Sequence, residues 1–409
     1  MAYPPSLRAF FMAFKETGAG HLAGFGGLVA GLMVAWQLNV FQTVLWAVAV
    51  YPTVLIAKAV INGMFSGRLN TALHIGTISP RFSGNMKILG RMLRRALALT
   101  LGTAVLMSIV STALGSLFLG VTSRSFLDIL VVVVATMSLG LTTYLFTLPV
   151  TFMAFKKGLD LDGVACPIAA TIADVLITAW YALVVNIYLK FGDTGKYAIV
   201  LIAVLSAVLA LCSLPRRIYK GDFSKTLKTS IFALIFVAVI ASFTGVILQK
   251  IDVAANLWNE NHAFHLAAVF AAYPALIELV GDAALVIGST ATTGLMLGLL
   301  KPNFSAAKNH APQIIGAWAA AAVMFILFSA ASLLLTRNFG LPAFSLLTSI
   351  FLVTNALALI AMILISYSFA ILTFKKGLDP DHLVVPLEIS LASAITSVAL
   401  LAALLLLLH

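Results

Sequence analysis

Long apolar stretches, separated by short polar segments, follow one another along the whole chain. About 20 apolar residues are enough to cross the hydrocarbon core of a bilayer as a helix. The pattern therefore predicts an all-α polytopic membrane protein with about eleven transmembrane helices. Several stretches exceed the necessary length, which favours tilted, broken or protruding helices. The predicted spans are 23–38, 42–77, 93–119, 127–154, 164–189, 197–213, 229–248, 265–299, 313–335, 343–373 and 384–407.

The composition agrees with this pattern. The 409 residues are 62% hydrophobic and only 10% charged, which excludes a soluble globular domain. The net charge of +11 is compatible with a nucleic-acid partner, but the basic residues fall in the short segments between spans, as membrane topology requires. We therefore expect the lipid bilayer, and no nucleic acid, as a partner. The two cysteines make neither a disulfide framework nor a metal cluster.

The distribution of lysine and arginine predicts the orientation. With the N-terminus inside, 18 of the 25 basic residues fall in inner segments, five fall in outer segments, and Lys58 and Arg68 lie within the second span. Cytoplasmic loops are enriched in Lys and Arg. We therefore expect a multi-pass plasma-membrane protein whose N-terminus is cytoplasmic and whose C-terminus, after an odd number of spans, is outside. The five outer residues are Arg124, Lys190, Lys196, Lys250 and Arg337.

Two stretches of the chain occur twice. Tyr51–Pro80 aligns without a gap with Tyr273–Pro302 at a shift of 222 residues. Phe155–Asp160 recurs as Phe374–Asp379 at a shift of 219 residues. Two pairings, in the same order and at nearly one shift, indicate an internal duplication.

The duplication predicts two five-helix repeats, residues 1–190 and 229–409, joined by a linker helix and cytoplasmic loop at residues 191–228. Five spans reverse the direction of the chain and the sixth restores it, so we expect parallel repeats related by a pseudo-twofold axis along the membrane normal. Such an axis makes the interface of the two repeats a natural place for a pore. Glycine and hydroxyl residues in the second halves of spans two and eight favour a break in both helices.

Four acidic residues lie inside or close to the predicted spans. Glu278 and Asp282 are one helical turn apart, Asp174 lies deep in span five, and Glu388 lies near the start of span eleven. Each buried charge costs on the order of 2.5–3.5 kcal/mol on insertion scales. A bound cation is the simplest compensation, so all four are candidate metal contacts. The alternatives are a structural acid hydrogen-bonded to a neighbouring helix, or ion pairs with Lys58 or Arg68.

Hydroxyl and amide side chains accompany these acids and are candidates for an ion pathway, although most such groups in membrane helices serve helix packing. Carboxylate, hydroxyl and amide oxygens without a Cys/His cluster suit a hard cation such as Mg²⁺, Ca²⁺ or Mn²⁺. We expect Mg²⁺ as the transported ion and no organic cofactor. The pathway candidates are Asn62, Ser66, Asn70, Thr71, Thr171, Ser289, Thr292, Thr293 and Ser393.

The polar residues of the first repeat resemble a known family, the MgtE-type (solute carrier family 41) magnesium transporters, here in duplicated form. The resemblance covers both repeats, and its motifs are of moderate specificity. The first signature helix is represented by Pro52, Lys58, Asn62, Arg68–Ala72 and Gly76, and the segment leading into the fifth helix by Gly158–Asp160, Pro167 and Thr171–Asp174.

This resemblance implies a pore at the repeat interface in which Asp174 holds a hydrated Mg²⁺. Ser393 stands where the second repeat would supply the matching acid, so the resemblance implies an asymmetric site. Na⁺ or H⁺ is a possible counter-ion, and no enzymatic activity is expected. The alternatives are a secondary transporter of another solute coupled to Na⁺ or H⁺, and an intramembrane aspartyl enzyme using Asp174 and Asp282.

Overall fold

The computed structural model describes residues 5–408 except 22–23, 83, 160, 162–164, 214–221, 259–263, 305–306 and 377–379. The described residues form helices and contain no strand, which confirms the predicted all-α class. The helices are α1 (Pro5–Gly20), α2 (Gly24–Trp36), α3 (Leu38–Phe41), α4 (Leu45–His74), α5 (Met86–Phe118), α6 (Phe126–Leu139), α7 (Tyr144–Lys156), α8 (Cys166–Lys190), α9 (Gly192–Ser213), α10 (Asp222–Trp258), α11 (Leu266–Met296), α12 (Ala307–Leu335), α13 (Leu341–Lys376) and α14 (Pro380–Leu408).

Ten helical stretches within the described part of the chain are long and apolar enough to cross a bilayer, and they coincide with predicted spans two to eleven. The first predicted span corresponds to α2, which has only 13 residues. It is preceded by α1, a helix that the apolar pattern did not predict. Phe10 of α1 lies beside Gly316 of α12, and the ring of Phe25 in α2 contacts that of Phe328, further along α12, edge to face. Thus α1 and α2 follow α12 in the same direction.

The predicted breaks in spans two and eight are wrong, because α4 and α11 are continuous helices that retain Pro52 and Pro274. Hydroxyls in their second halves bond to carbonyl oxygens of their own helix and leave the backbone intact: Thr71 donates to Gly67 and Thr292 to Gly288. The interruption lies instead in span four, where a short 3₁₀ segment at residues 140–143 separates α6 from α7. Such segments within a helix often mark a functional hinge.

The helices group into two compact units, and their limits differ from those of the predicted repeats. The central unit comprises residues 36–250, and the terminal unit comprises residues 1–35 together with 251–409. Each unit therefore contains helices from both halves of the sequence. In the central unit, α4 to α9 are joined by α10 as far as Lys250, whereas in the terminal unit α11 to α14 are joined by α1 and α2. The predicted division into repeats and linker stays a prediction.

Close backbone contact recurs in both units. In the terminal unit, Gly31 of α2 lies so near the Ala271 carbonyl of α11 that a side chain at position 31 would collide with it. In the central unit, Gly245 of α10 lies in the same way against the Ala49 carbonyl of α4. Ala49 and Ala271 are 222 residues apart, which is the shift of the sequence repeat. The absence of a Cβ at both glycines is therefore what lets these helices touch.

A buried hydrogen bond recurs in the same manner. The Tyr51 hydroxyl of α4 lies 3.3 Å from the Thr178 hydroxyl of α8. The Tyr273 hydroxyl of α11 lies 2.7 Å from the Ser397 hydroxyl of α14. The tyrosines differ by 222 in number and the hydroxyl partners by 219, the two shifts read from the sequence. The α4–α8 pair thus has the same register as the α11–α14 pair.

We expect Gly31→Ala and Gly245→Ala each to destabilise the protein by roughly 1–3 kcal/mol, the usual cost of overpacking. The added methyl group would displace a helix from the backbone of its neighbour. The measurement is the midpoint of thermal unfolding in detergent, followed by size-exclusion chromatography. Gly102→Ala is the matched control, because a Cβ at Gly102 of α5 meets no atom within 4 Å. Equal midpoints for all three variants would contradict the proposed role of the contact.

Candidate functional site

Asp174 lies on the face of α8 that packs against α4. Two hydrogen bonds join α8 to α4 on this face. Cys166 accepts one from Asn70 at 3.4 Å, and the Thr178 hydroxyl forms the other with Tyr51. Residues 166, 174 and 178 are separated by multiples of four and therefore share one side of the helix. Asp174 lies between these two contacts, and only 7% of its surface is exposed. The sequence thus places a carboxyl group inside the helix pair.

The opposing face of α4 is a polar stripe formed by Lys58, Asn62, Ser66 and Asn70. These residues are four apart, so they form one line along the helix, and all four are buried. The Asn62 carbonyl oxygen accepts a long hydrogen bond of 3.5 Å from Thr143, in the 3₁₀ segment, whereas its amide nitrogen has no hydrogen-bond partner among the described residues. The stripe thus contacts α8 through Asn70 and the 3₁₀ segment through Asn62.

Lys58 is the cation of this stripe. It is fully buried, and its ammonium group lies 4.5 Å from the centroid of the Tyr144 ring, a cation–π arrangement. Its stem lies against Gly140 in the 3₁₀ segment. Within the described part of the chain, Lys58 makes no hydrogen bond or ion pair. The alternative that an ion pair with Lys58 or Arg68 compensates the candidate acids stays a prediction.

Thr71 and Thr171 differ in their surroundings. Thr71 is exposed at the end of α4, and its hydroxyl bonds to its own helix, so it lies off the buried stripe. Thr171 is half-buried on α8, one turn before Asp174. Their proposed pathway roles stay predictions.

In the terminal unit, Glu278 lies beside the start of α2, and Asp282 lies beside His21, three residues before α2 begins. Helices α2 and α11 run antiparallel, since Gly31 lies against Ala271 and Gly27 lies against Ala275. A Cβ at Gly27 would lie 2.8 Å from the Ala275 backbone. The same Cβ would lie 2.9 Å from a carboxylate oxygen of Glu278. This carboxylate therefore lies beside the first turns of α2, where the helix dipole favours negative charge.

Asp282 continues this line of contacts by one turn. Its carboxylate lies 3.7 Å from Nδ1 of His21, which directly follows α1, and its side chain is 42% exposed. Glu278 and Asp282 thus have separate neighbours in the protein. The residues that the structure describes contain no cluster of three or more His, Cys, Asp or Glu side chains able to hold a metal ion. A cation near Asp282 would accordingly keep much of its water, as Mg²⁺ does in sites with few carboxylates.

The remaining candidates surround α14. Glu388 is buried beside Ser366 of α13 and Gly288 of α11. Ser393, at the position equivalent to Asp174, is fully buried and donates a hydrogen bond of 2.9 Å to the Ile389 carbonyl. Thr292 also bonds to its own helix. The side chains of Ser289 and Thr293 lie outside the described residues.

Sequence reasoning missed His21 because it lies in the short N-terminal segment before the first apolar stretch. One signal was present in the sequence. His21 is followed by Gly24, Gly27 and Gly31, a small-residue spacing of three and four that is typical of helices in close contact. That spacing predicts close packing, but it does not identify Asp282 as the neighbour.

Comparison with known proteins shows which of these elements are shared. Residues 52–184 match the family model described as "MgtE: Divalent cation transporter". The matched range contains most of α4, including its polar stripe, and α8 as far as Asp174 and the turns beyond it. This part of the chain is therefore similar to the divalent cation transporter family that the model describes.

Two curated relatives carry the name solute carrier family 41 member 3. The rat protein is 28% identical over 240 residues, which are 56% of this chain and 50% of the relative. The mouse protein is 29% identical over 240 residues, or 56% of this chain and 47% of the relative. The chain thus spans about half the length of the curated relatives that it matches. No solved structure matches.

We expect Lys58→Met to be at least as stable as the parent. A buried charge without a partner is costly, and an apolar side chain of similar length removes that cost. The measurement is the midpoint of thermal unfolding in detergent at neutral pH.

Lys58→Gln, which keeps a polar group but no charge, is the companion variant. Its unfolding midpoint should lie between those of the parent and Lys58→Met. A fall of more than about 5 °C for Lys58→Met, roughly 1–2 kcal/mol for a protein of this size, would show that the ammonium group has a stabilising partner.

Proposed function

We propose that this protein moves divalent cations, with Mg²⁺ as the main substrate, across the membrane. The observation that carries the proposal is a buried carboxyl group, Asp174 of α8, in a helix that packs against α4 with its buried polar stripe, within the part of the chain that matches the divalent cation transporter family. The similarity of residues 52–184 to a transporter family favours transport over the alternative of an intramembrane enzyme.

The donors along the α4–α8 pair favour a hard, hydrated ion. Asp174 offers carboxylate oxygens, Asn62 offers an amide and Ser66 a hydroxyl. Mg²⁺ prefers oxygen ligands and gives up its water reluctantly, so one carboxylate with hydroxyl and amide neighbours suits it. In this proposal Asp174 attracts the ion, while the neutral groups of the stripe contact its water shell.

The ammonium group of Lys58 lies on the same stripe, one turn from Asn62. A positive charge there repels an entering cation and therefore weakens the binding of the ion along α4. The Asp174 carboxylate supplies the opposite charge on α8. We propose that this opposition keeps binding weak enough for the ion to leave again, which conduction requires.

The direction of transport follows from the membrane potential. Each elementary charge gains about 2.3 kcal/mol on crossing 100 mV, so a divalent cation enters a cell without another source of energy. We place the protein in the plasma membrane with its N-terminus inside and its C-terminus outside, on the basis of the lysine and arginine distribution. We also propose that the pathway lies where the two repeats meet, and that Na⁺ or H⁺ serves as counter-ion if transport is coupled.

We expect Asp174→Asn to reduce Mg²⁺ uptake by at least about tenfold, which corresponds to about 1.4 kcal/mol. The change keeps the shape of the side chain and removes only its charge. The measurement is initial Mg²⁺ uptake into proteoliposomes with an imposed potential, at equal amounts of reconstituted protein. Uptake of Ca²⁺, Mn²⁺ and Co²⁺ in the same assay ranks the substrates.

The matched control is Thr396→Ala on α14, a buried residue outside the candidate pathway whose hydroxyl donates to the Ala392 carbonyl of its own helix. We expect this variant to retain most of its uptake. Full uptake by Asp174→Asn would end the proposal that this carboxyl group contacts the ion.

A further inference from the structure

His21 has surroundings that its position between two helices does not explain. Its side chain is fully buried, and neither ring nitrogen has a hydrogen-bond partner among the described residues. Nδ1 points to Asp282, whose carboxylate oxygen lies 3.7 Å away. Burial of an imidazole without a hydrogen bond is costly. Its position beside a carboxylate therefore requires a physical reason.

The position of His21 is fixed from both sides. Before it, α1 contacts α12, where Gly316 leaves room for the Phe10 backbone. After it, Gly27 and Gly31 hold α2 against α11. Since both helices are held by close contacts, His21 lies where α1 ends and faces α11 at the level of Asp282.

A simple ion pair is a poor account of this geometry. A protonated imidazole has two N–H donors, and both would lack a hydrogen-bond acceptor within the described structure. A neutral imidazole offers one nitrogen lone pair, which is the form that binds metal ions. A metal ion bound at about 2.0–2.2 Å to both a nitrogen and a carboxylate oxygen brings these two atoms to the separation that is seen. The exposed side of Asp282 leaves room for water ligands.

We propose that His21 and Asp282 form a two-ligand site for a divalent transition-metal ion such as Mn²⁺, Co²⁺, Ni²⁺ or Zn²⁺. Imidazole nitrogen favours these ions over Mg²⁺, which prefers oxygen alone. Glu278, one turn away on α11, adds negative charge near the site while its carboxylate lies beside α2. This proposal goes beyond the proposed function, and it takes Asp282 as a candidate metal contact from the sequence analysis.

The site is confined to the terminal unit. The residue equivalent to Asp282 in the first copy is Val60, at the repeat shift of 222, and it has no metal-binding group. The two repeats would thus differ in the ion they favour. The α4–α8 pair has oxygen donors that suit Mg²⁺, whereas the site at His21 adds a nitrogen donor that suits a transition metal.

The test is isothermal titration of the purified full-length protein in detergent with Co²⁺ and, separately, with Mg²⁺. We expect the parent to bind Co²⁺ at least about tenfold more tightly than Mg²⁺. His21→Gln, which keeps a polar side chain but loses the imidazole, should abolish that preference. Asp282→Asn, on the half-exposed partner, should weaken Co²⁺ binding and does not depend on the folding of a variant at the buried position.

His310 supplies the matched control. It is also a buried histidine of the terminal unit whose ring nitrogens lack a hydrogen-bond partner among the described residues, but its ring neighbour is Tyr367. His310→Gln should therefore keep the Co²⁺ preference. An unchanged preference in folded His21→Gln or in Asp282→Asn, or an equal loss in His310→Gln, would overturn the proposal.

Titration separates this proposal from the proposed function, because it does not require transport. Loss of the Co²⁺ preference in His21→Gln supports the site even if Asp174→Asn transports Mg²⁺ like the parent, in which case only the proposed role of Asp174 fails. Reduced Mg²⁺ uptake in Asp174→Asn, combined with Co²⁺ binding that ignores His21 and Asp282, leaves the transport proposal standing and ends this one.

Discussion

Contact between glycine and the carbonyl of alanine is the interaction on which each unit depends. Helices in lipid gain little from burying apolar side chains against one another, so close backbone approach and van der Waals contact have to hold them together. Gly31 with Ala271 and Gly245 with Ala49 provide this approach. The contact in the terminal unit also fixes the register of α2 on α11, and that register brings Glu278 and Asp282 to the start of α2.

A common scaffold carries different chemistry in the two halves. Tyr51 with Thr178 and Tyr273 with Ser397 hold their helix pairs in the same register. Within that register, Asp174 in one pair is replaced by Ser393 in the other. The tyrosine hydroxyl keeps its hydrogen bond in both pairs, whereas the residue one turn away on the partner helix differs. The two helix pairs thus share a register and differ in the side chain at this position.

Much of the fold was predictable because the length of an apolar stretch is a local property. Predicted spans two to eleven each correspond to a membrane-length helix among the described residues. The break was placed wrongly in spans two and eight, since hydroxyls such as that of Thr71 bond to their own helix instead of opening it. The acids and the α4 stripe were visible as polar residues in apolar helices. His21 was not, because its contact with Asp282 joins residues 261 positions apart in the chain.

The terminal unit combines helices that lie far apart in the sequence, and this has a consequence for biosynthesis. The central unit is one uninterrupted segment, so all of its helices have been made once residue 250 has left the ribosome. By contrast, α1 and α2 are translated before the whole central unit, whereas α11 and α12, against which they pack, are translated after it. The Gly24–Gly31 face of α2 therefore stays uncovered until α11 has been made. Apolar surface that is exposed during folding is prone to contacts with wrong neighbours, so this interval is the one in which misassembly of the terminal unit is favoured.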